Sequence, residues 1–200
     1  MDRLLQVKQA NDSDPEIIVG SYEYNAIGQL VDKKLHSTNS GSSYLQSVDL
    51  RYNIRGQITS INNSTLSSDG GTTNDETNDL FGMDFLYDQV DASLGNTANY
   101  TGLLSAVKWK ANISGGNTDQ RAYLFTYDKL LRLTSATYKA YNTGTSTWTK
   151  DQNGFNETIS YDYNGNITSM VRKAVIGGSV TTIDDLAYSY GTADNNQLEN

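Results

Sequence analysis

Side chains that could perform catalysis or hold a metal ion are sparse in this 200-residue sequence. Cysteine is absent and His36 is the single histidine, so thiolate chemistry is excluded, and a His-based triad or multi-histidine metal site is nearly excluded. Carboxylates remain, but the adjacent side chains of Asp184 and Asp185 point to opposite faces of an extended chain. A second pair, Asp75 and Glu76, lies in a polar connector. Neither pair offers the acid and base that a glycosidase needs across a cleft, and we expect no enzymatic activity, no metal and no cofactor.

Aromatic side chains are the stronger candidates for binding, because their flat faces suit the stacking of sugar rings. The sequence has 14 Tyr, 4 Phe and 2 Trp. Most tyrosines recur with the repeat described below, which favours packing within a sheet. Trp109, between Lys108 and Lys110, and Trp148 fall outside that repeat. They are therefore the candidate sugar-stacking residues, with a half-buried strand position as the alternative for each.

The charge of the chain argues against two classes of partner. Its formal net charge is -8, which repels phosphate backbones, so we expect no nucleic-acid partner. No stretch approaches the roughly 18 apolar residues that span a bilayer, so we expect no membrane insertion.

An internal repeat determines the elements that must carry these side chains. Four segments, 22–30, 50–58, 125–133 and 159–167, share one pattern. Tyr is followed by Asn or Asp, then by a glycine slot three positions later, then by Leu or Ile two positions after that. The motif residues of all copies are Tyr22, Tyr24, Asn25, Gly28, Leu30, Tyr52, Asn53, Gly56, Ile58, Tyr87, Asp88, Tyr127, Asp128, Leu133, Tyr161, Asp162, Gly165, Ile167, Tyr188 and Tyr190.

Some copies depart from the pattern in the glycine slot. Leu131 occupies it in the third of the four segments. A weaker copy around Tyr87 has Asp91 there, and another ends at Tyr190 with extra residues in its turn. A short copy lies at residues 100–105. The departures put the geometry of these turns in question.

Each copy predicts one β-hairpin. Residues two apart point to the same face of a strand, and Asn or Asp is typical of the first position of a type I turn. Glycine can take the positive φ that lets a short loop rejoin its partner strand. Because an isolated hairpin is only marginally stable, the hairpins must pair edge to edge into one long antiparallel sheet. The sequence therefore predicts an all-β fold, with residues 1–21 as an N-terminal strand or connection and residues 22–200 as a single hairpin array.

Polar segments connect the copies and are predicted to be loops. They are Ser37–Ser43, Asn62–Asp79, Asn112–Gln120 and Asn142–Asn156. The longest, Asn62–Asp79, offers little apolar area to offset the entropy of ordering it. No change in composition marks a second domain.

The repeated hairpin motif resembles that of the YD-repeat proteins, also called Rhs (rearrangement hot spot) repeat proteins. The phrases Tyr44–Gly56, Asn78–Met83 and Phe125–Tyr138 are similar to the version found in large surface proteins of the Bacteroidetes, upstream of the Rhs-associated core. The resemblance covers most of the chain and rests on several copies in series. It implies one curved strip of hairpins that spirals into a hollow shell. In the family, such shells enclose a C-terminal toxin or other effector domain, or belong to cell-surface and adhesive proteins.

The resemblance implies a non-catalytic shell segment of a large secreted or cell-surface protein. Its partners would be neighbouring repeats of the same parent chain and an enclosed effector domain. Self-cleavage, which the family performs near an Asp-Pro junction downstream, is not expected, because Asp14 and Pro15 precede the repeats and lack that context. The alternative function is a carbohydrate-binding or adhesive module that uses Trp109, Trp148 and exposed tyrosines, with a glycan as its partner.

Overall fold

The structure is a computed structural model that describes residues 3–68, 79–116, 118–150, 153–191 and 198. These residues form thirteen β-strands and no helix, which confirms the predicted all-β class. In chain order the strands are β1 (Gln6–Gln9), β2 (Ile17–Tyr24), β3 (Leu30–Ser37), β4 (Gln46–Tyr52), β5 (Ile58–Ile61), β6 (Phe81–Leu86), β7 (Ala106–Ala111), β8 (Arg121–Tyr127), β9 (Leu133–Asn142), β10 (Thr147–Lys150), β11 (Glu157–Tyr161), β12 (Ile167–Ile176) and β13 (Ser179–Ala187). Over the described ranges, no helix that could span a membrane is found.

The chain divides into two compact units. The first comprises Met1–Phe85 and Trp109–Gln120, and the second comprises Leu86–Lys108 and Arg121–Asn200. In the first unit the strands pair in the order β1-β2-β3-β4-β5-β6. In the second the order is β8-β9-β11-β12-β13, and β10 also pairs with β9. These pairs are antiparallel, which confirms the predicted edge-to-edge joining of hairpins.

One predicted loop contains a strand. The connector Asn142–Asn156 includes β10, whose Thr147 pairs with Asn142 and whose Lys150 pairs with Ala140 of β9. The loop prediction is wrong here because Trp148 in the middle of β10 is buried, and burial of a large aromatic side chain stabilises the pairing. The carboxylate pair Asp75 and Glu76 lies outside the described residues.

A β-bulge precedes each of the four regular turns. The pairing register shifts immediately before the motif tyrosine in all four hairpins. The affected steps are Glu23/Tyr24, Arg51/Tyr52, Thr126/Tyr127 and Ser160/Tyr161. Because a bulge bends its strand and redirects a side chain, it sets the direction in which this tyrosine leaves the sheet.

The second unit has an apolar core. A cluster of buried residues there is surrounded by half-buried Leu124 and Tyr141. Its members are Leu86, Leu94, Ala106, Ala122 and Trp148. The two alanines are fully buried, so the backbones of their strands can come close to the large side chains.

The interior of the first unit is more polar. Asp49, Asn62 and Ser64 are all buried. The Asn62 side chain accepts a hydrogen bond from the Asp49 backbone N–H at 2.8 Å and donates one to the Phe81 carbonyl at 2.8 Å. The hydroxyl of Ser64 donates to the carboxylate of Asp84. Buried polar groups of this kind are stable only when paired, so these bonds hold the unit's interior together.

Candidate functional site

The first regular turn is organised by the side chain of Asn25. Its Oδ1 accepts hydrogen bonds from the backbone N–H groups of Ile27 (3.2 Å) and Gln29 (2.9 Å). The Gly28 N–H donates to the Asn25 carbonyl at 2.9 Å, and Gly28 has a φ of +92°, as the glycine slot predicts. With Oδ1 occupied, Asn25 Nδ2 donates to Gln29 Oε1 at 2.8 Å. The Asn25 side chain therefore holds the turn through two bonds from the backbone and one bond to the Gln29 side chain.

The second turn repeats this arrangement around Asn53. Its Oδ1 accepts from the N–H groups of Arg55 (2.9 Å) and Gln57 (3.1 Å), and its Nδ2 donates to Gln57 Oε1 at 2.9 Å. Gly56 has a φ of +78° and donates its N–H to the Asn53 carbonyl at 2.9 Å. The same motif residues thus form the same hydrogen bonds in both turns.

The third turn keeps the geometry without a glycine. Asp128 Oδ1 accepts from the N–H groups of Leu130 (2.9 Å) and Arg132 (3.0 Å). Leu131 donates its N–H to the Asp128 carbonyl at 3.0 Å and takes a φ of +63°. A leucine in this region is strained by its Cβ, so the surrounding bonds hold the backbone there against its own preference. The second carboxylate oxygen of Asp128 accepts from Arg132 Nε at 2.6 Å.

The fourth turn places Asp162 in the same role. Its Oδ1 accepts from the Asn166 N–H at 2.8 Å, and its Oδ2 accepts from Asn166 Nδ2 at 2.9 Å. Gly165, with a φ of +92°, donates its N–H to the Asp162 carbonyl at 3.2 Å.

The hydrogen bonds of these turns lower the pKa of both carboxyl groups. For Asp128 the largest cause is the bond from the Arg132 backbone, and the Arg132 side chain adds to it. For Asp162 the largest cause is the bond from the Asn166 side chain. Because every donor favours the ionised form, both carboxyl groups stay charged at pH values below those at which an ordinary aspartate becomes protonated.

Five motif tyrosines each connect a hairpin to an earlier part of the chain. In five places the tyrosine hydroxyl donates to a backbone carbonyl upstream, and we call this bond a tyrosine clasp. The clasps run from Tyr24 to Leu4 (3.1 Å), Tyr52 to Leu30 (2.9 Å), Tyr127 to Leu104 (2.9 Å), Tyr161 to Leu133 (2.9 Å) and Tyr190 to Ile167 (2.8 Å). In four of them the acceptor is the Leu or Ile in the slot of the preceding copy. The tyrosine and the Leu or Ile of the motif are therefore donor and acceptor of one hydrogen bond between successive copies.

The residue before the Leu or Ile slot also reaches the next hairpin, which sequence reasoning missed. Arg132 lies over the ring of Tyr161, with its guanidinium carbon 4.5 Å from the ring centroid, and Nη1 donates to the Asp162 carbonyl at 3.0 Å. Arg3 lies over Tyr24 at 5.5 Å. Such cation–π contacts add to the clasp. The signal was present in the sequence, since this slot holds a planar amide or guanidinium in every regular copy.

The weaker copy around Tyr87 is not the predicted turn. Asp91 does not take a positive φ; its side chain instead accepts from Ser93 and from the Leu94 N–H at 3.2 Å, which begins a separate turn. The Asn99 N–H donates to the Tyr87 carbonyl at 2.7 Å. The copies at Tyr87 and at residues 100–105 are therefore the two strands of one hairpin with a long insertion between them. Exposed Asp88 lies at the start of that insertion.

The last copy keeps its pairing despite a longer turn. Tyr190 forms a β-bridge with Leu198, as Tyr24 pairs with Leu30 in the first hairpin. Tyr188 donates its backbone N–H to the Thr168 carbonyl at 2.9 Å.

The two tryptophans differ in exposure. Trp148 is only 5% exposed; its indole N–H donates to Ser93 Oγ at 3.3 Å and its ring meets that of Tyr141 edge to face at 5.3 Å. Its assignment as a sugar-stacking residue is wrong, because the residue is buried in the apolar cluster and has no face open to a sugar ring. Trp109 is half-buried in β7, so its role remains a prediction.

No family model matches the sequence, and no curated protein matches it. Among solved structures, the chain is similar to a chain of the Photorhabdus luminescens Tc holotoxin pore, with a TM-score of 0.38 and 13% sequence identity. The similarity covers 89% of this chain and 11% of that chain, so this chain spans a small fraction of its neighbour's length.

Proposed function

We propose that the chain is a non-catalytic structural segment of a YD-repeat β-shell in a large secreted or cell-surface protein. The observation that carries the proposal is the tyrosine clasp. It recurs in both units and joins successive copies of the motif through tyrosines that the motif itself supplies. A hairpin array built in this way is a continuous structural sheet, which we call a wall.

The energetics of the clasps favour a structural role for the tyrosines. A buried or half-buried hydrogen bond contributes about 1 kcal/mol net, so the clasps add to the backbone ladder without dominating it. The pKa of the Tyr127 hydroxyl is raised because burial disfavours its ionised form, which keeps it a donor. A tyrosine whose hydroxyl and ring are used between hairpins is poorly suited to bind a ligand.

The shell proposal names the partners of the segment. They are neighbouring repeats of the parent chain along the strip, and an effector domain enclosed by the shell. Charge supports the choice against other partners, since a net charge of -8 repels nucleic acid and anionic surfaces.

Hydrogen exchange tests the wall proposal. Tyr161→Phe removes one clasp and keeps the ring, so we expect faster amide exchange in both β9 and β11, the two strands that it connects. Tyr163→Phe, whose side chain is fully exposed one residue beyond the turn's Asp, is the matched control and should leave exchange unchanged. Faster exchange confined to β11, or none, would contradict a wall whose hairpins are coupled.

The carbohydrate-binding alternative now depends on Trp109 and the exposed tyrosines. A glycan array with the whole chain tests it. We expect no saturable binding; a ligand whose binding is lost in Trp109→Ala while the circular dichroism spectrum is kept would replace the wall proposal.

A further inference from the structure

A serine in the loop after β5 is buried between a carboxylate and an amide. Ser64 is 0% exposed. Its hydroxyl donates a hydrogen bond to Asp84 Oδ2, and its backbone N–H donates to Asp84 Oδ1 at 3.3 Å. Gln120 Nε2 donates to the same hydroxyl oxygen at 2.6 Å. All three residues belong to the first unit. A hydroxyl placed between a carboxylate and a carboxamide has the arrangement of a nucleophile with its base and an acyl group.

The carbonyl carbon of the Gln120 side chain is close to the Ser64 hydroxyl. Because a carboxamide C–N bond is about 1.33 Å long, the Gln120 Cδ lies within about 4 Å of Ser64 Oγ. A nucleophile and a carbonyl carbon are ready to react when they are about 3–3.5 Å apart. Rotation about the Cγ–Cδ bond of Gln120 turns the face of the amide toward Oγ, and it requires no movement of the backbone.

The loop that carries Ser64 is fixed in place. Asn63 Oδ1 accepts hydrogen bonds from the backbone N–H groups of Thr65 at 3.0 Å and Ser67 at 3.3 Å. The Asn63 carbonyl oxygen packs so closely on Gly82 of β6 that a Cβ at this glycine would lie 1.8 Å from it. A nucleophile held in this way loses little further freedom when it reacts, which lowers the barrier.

We propose that Ser64 and Gln120 form an intramolecular ester, with Asp84 as the proton carrier. Ser64 Oγ attacks Gln120 Cδ while the Asp84 carboxylate accepts the hydroxyl proton. The tetrahedral intermediate then expels Nε2, which takes the proton from Asp84 and leaves as ammonia. One C–O bond forms and one C–N bond breaks, so the step balances without a co-reactant. It is a single self-modification without turnover, and it does not rest on the proposed shell function.

Burial of the Ser64 hydroxyl favours both the reaction and the persistence of its product. Exclusion of water lets the carboxylate, rather than solvent, receive the hydroxyl proton, and it protects the ester from hydrolysis. The released ammonia is protonated in solution and does not return. The ester joins positions 56 apart in the chain, in the loop after β5 and in the segment before β8. It therefore restricts the unfolded chain as a disulfide does.

A buried serine in the second unit provides a matched control. Ser105 is 2% exposed, and its hydroxyl oxygen accepts a hydrogen bond from Asn96 Nδ2 at 2.8 Å, as Ser64 accepts one from Gln120. The Ser105 hydroxyl, however, donates to the backbone carbonyl of Leu86 at 3.1 Å. A carbonyl oxygen is a far weaker base than a carboxylate and does not take the proton during attack. The amide and the hydroxyl of this second pair should therefore stay unlinked.

Mass spectrometry of the whole chain tests the proposal. We expect a mass about 17 Da below that of the sequence, because one ammonia is lost when the ester forms. Trypsin should release residues 56–108, which contain Ser64, joined to residues 111–121, which contain Gln120. Hydroxylamine cleaves esters and leaves ordinary amides intact, so it should separate the two joined peptides.

Four variants assign the roles of the residues. Ser64→Ala removes the nucleophile and Gln120→Glu removes the leaving group, so each should have the full mass of its sequence. Asp84→Asn keeps the hydroxyl and the amide but should form the link on the order of 100-fold more slowly, because the proton acceptor is lost. The linked fraction is followed over time after cell-free synthesis. Ser105→Ala, in the control pair, should leave the link unchanged.

Other outcomes overturn the proposal. A wild type with the full mass of its sequence, or a loss of ammonia without joined peptides, excludes the ester, and this readout does not require any variant to fold. Joined peptides that persist in Ser64→Ala identify another nucleophile, and joined peptides that resist hydroxylamine contain an amide link. Equal rates in Asp84→Asn and wild type remove Asp84 from the reaction. The clasp between Tyr161 and Leu133 lies in the second unit, so the test of the shell proposal is independent of these results.

Discussion

The two units build the same turn from different side chains. In the first unit Asn25 and Asn53 use Oδ1 for the backbone and donate Nδ2 to a glutamine. In the second, Asp128 and Asp162 use one oxygen for the backbone and accept a side-chain donor on the other. One oxygen is therefore enough to fix the backbone. The second atom decides which partner is accepted four positions later, and whether the turn carries a charge.

The interiors of the two units also use different side chains. The second unit buries an apolar cluster around Trp148, whereas the first buries Asp49, Asn62 and Ser64 among hydrogen bonds. Apolar burial contributes in proportion to area, while buried polar groups contribute little net and are costly to leave unpaired. The two units should therefore respond to different perturbations.

Removal of the core indole should have the largest effect. Trp148→Ala is expected to lower the free energy of unfolding by about 3–5 kcal/mol, because it leaves a cavity in the second unit. Amide exchange should rise in β8–β10 and stay unchanged in β2–β4. Trp148→Phe keeps most of the apolar volume and should lose much less. Urea unfolding and exchange measure both, and equal acceleration in β2–β4 would show that the interiors are not independent.

Substitution of the glycine-slot residue should change the stability of the chain in opposite directions in two turns of the second unit. Leu131→Gly relieves a left-handed leucine and should stabilise the chain by up to about 1 kcal/mol, since glycine's greater freedom when unfolded offsets part of the gain. Gly165→Leu creates the same strain and should destabilise by about 1–2 kcal/mol. Thermal unfolding of both variants measures this. Destabilisation in Leu131→Gly would mean that the leucine side chain contributes more than its backbone strain removes.

The choice of Asn or Asp should be asymmetric. Asp128→Asn must keep its oxygen for the backbone, so its NH₂ group faces the Arg132 side chain, and two donors meet. A lower urea midpoint is expected. Asn53→Asp should be tolerated, because the Gln57 amide can rotate and donate. The double variant Asp128→Asn, Arg132→Gln recreates the pairing of the first unit and should recover the midpoint of Arg132→Gln alone, because both variants lack the Arg132 contacts to Tyr161 and Asp162. A midpoint below that of Arg132→Gln would show that charge, not donor matching, stabilises this turn.

Acid should weaken only the second unit's turns, and by the smallest amount. The pKa of Asp128 and of Asp162 lies below the ordinary value of 3.8, so their contribution is complete above that value and is lost as pH falls through the lowered pKa. The amide side chains of Asn25 and Asn53 do not titrate. NMR-detected exchange of the turn amides between pH 5 and pH 2 should separate the two groups, after correction for intrinsic rates. Parallel loss in all four turns would point to general acid unfolding.

Much of this arrangement could be predicted from local sequence. The Asn or Asp, the glycine slot and the aliphatic residue gave the hairpins and their turns, because a turn depends on a few adjacent side chains. Even Leu131 was found in its slot, although the sequence could not show that the turn survives it. Tertiary packing decided the rest. The Tyr87 hairpin was misread because its insertion begins a turn of its own at Asp91, and Trp148 was misread because only the fold brings it against Ser93.

The tyrosine clasps allow the hairpins to form in sequence order while the chain is being synthesised. Every clasp reaches back along the chain, from 20 residues for Tyr24 to 28 for Tyr161. During synthesis, at about 5–20 residues per second, the acceptor carbonyl therefore leaves the ribosome seconds before its tyrosine. Hairpins form in about 1–10 μs, so each new one can close and dock on a finished predecessor before the next is made. The array can therefore assemble one hairpin at a time, with each new hairpin bound by its clasp to the one before it.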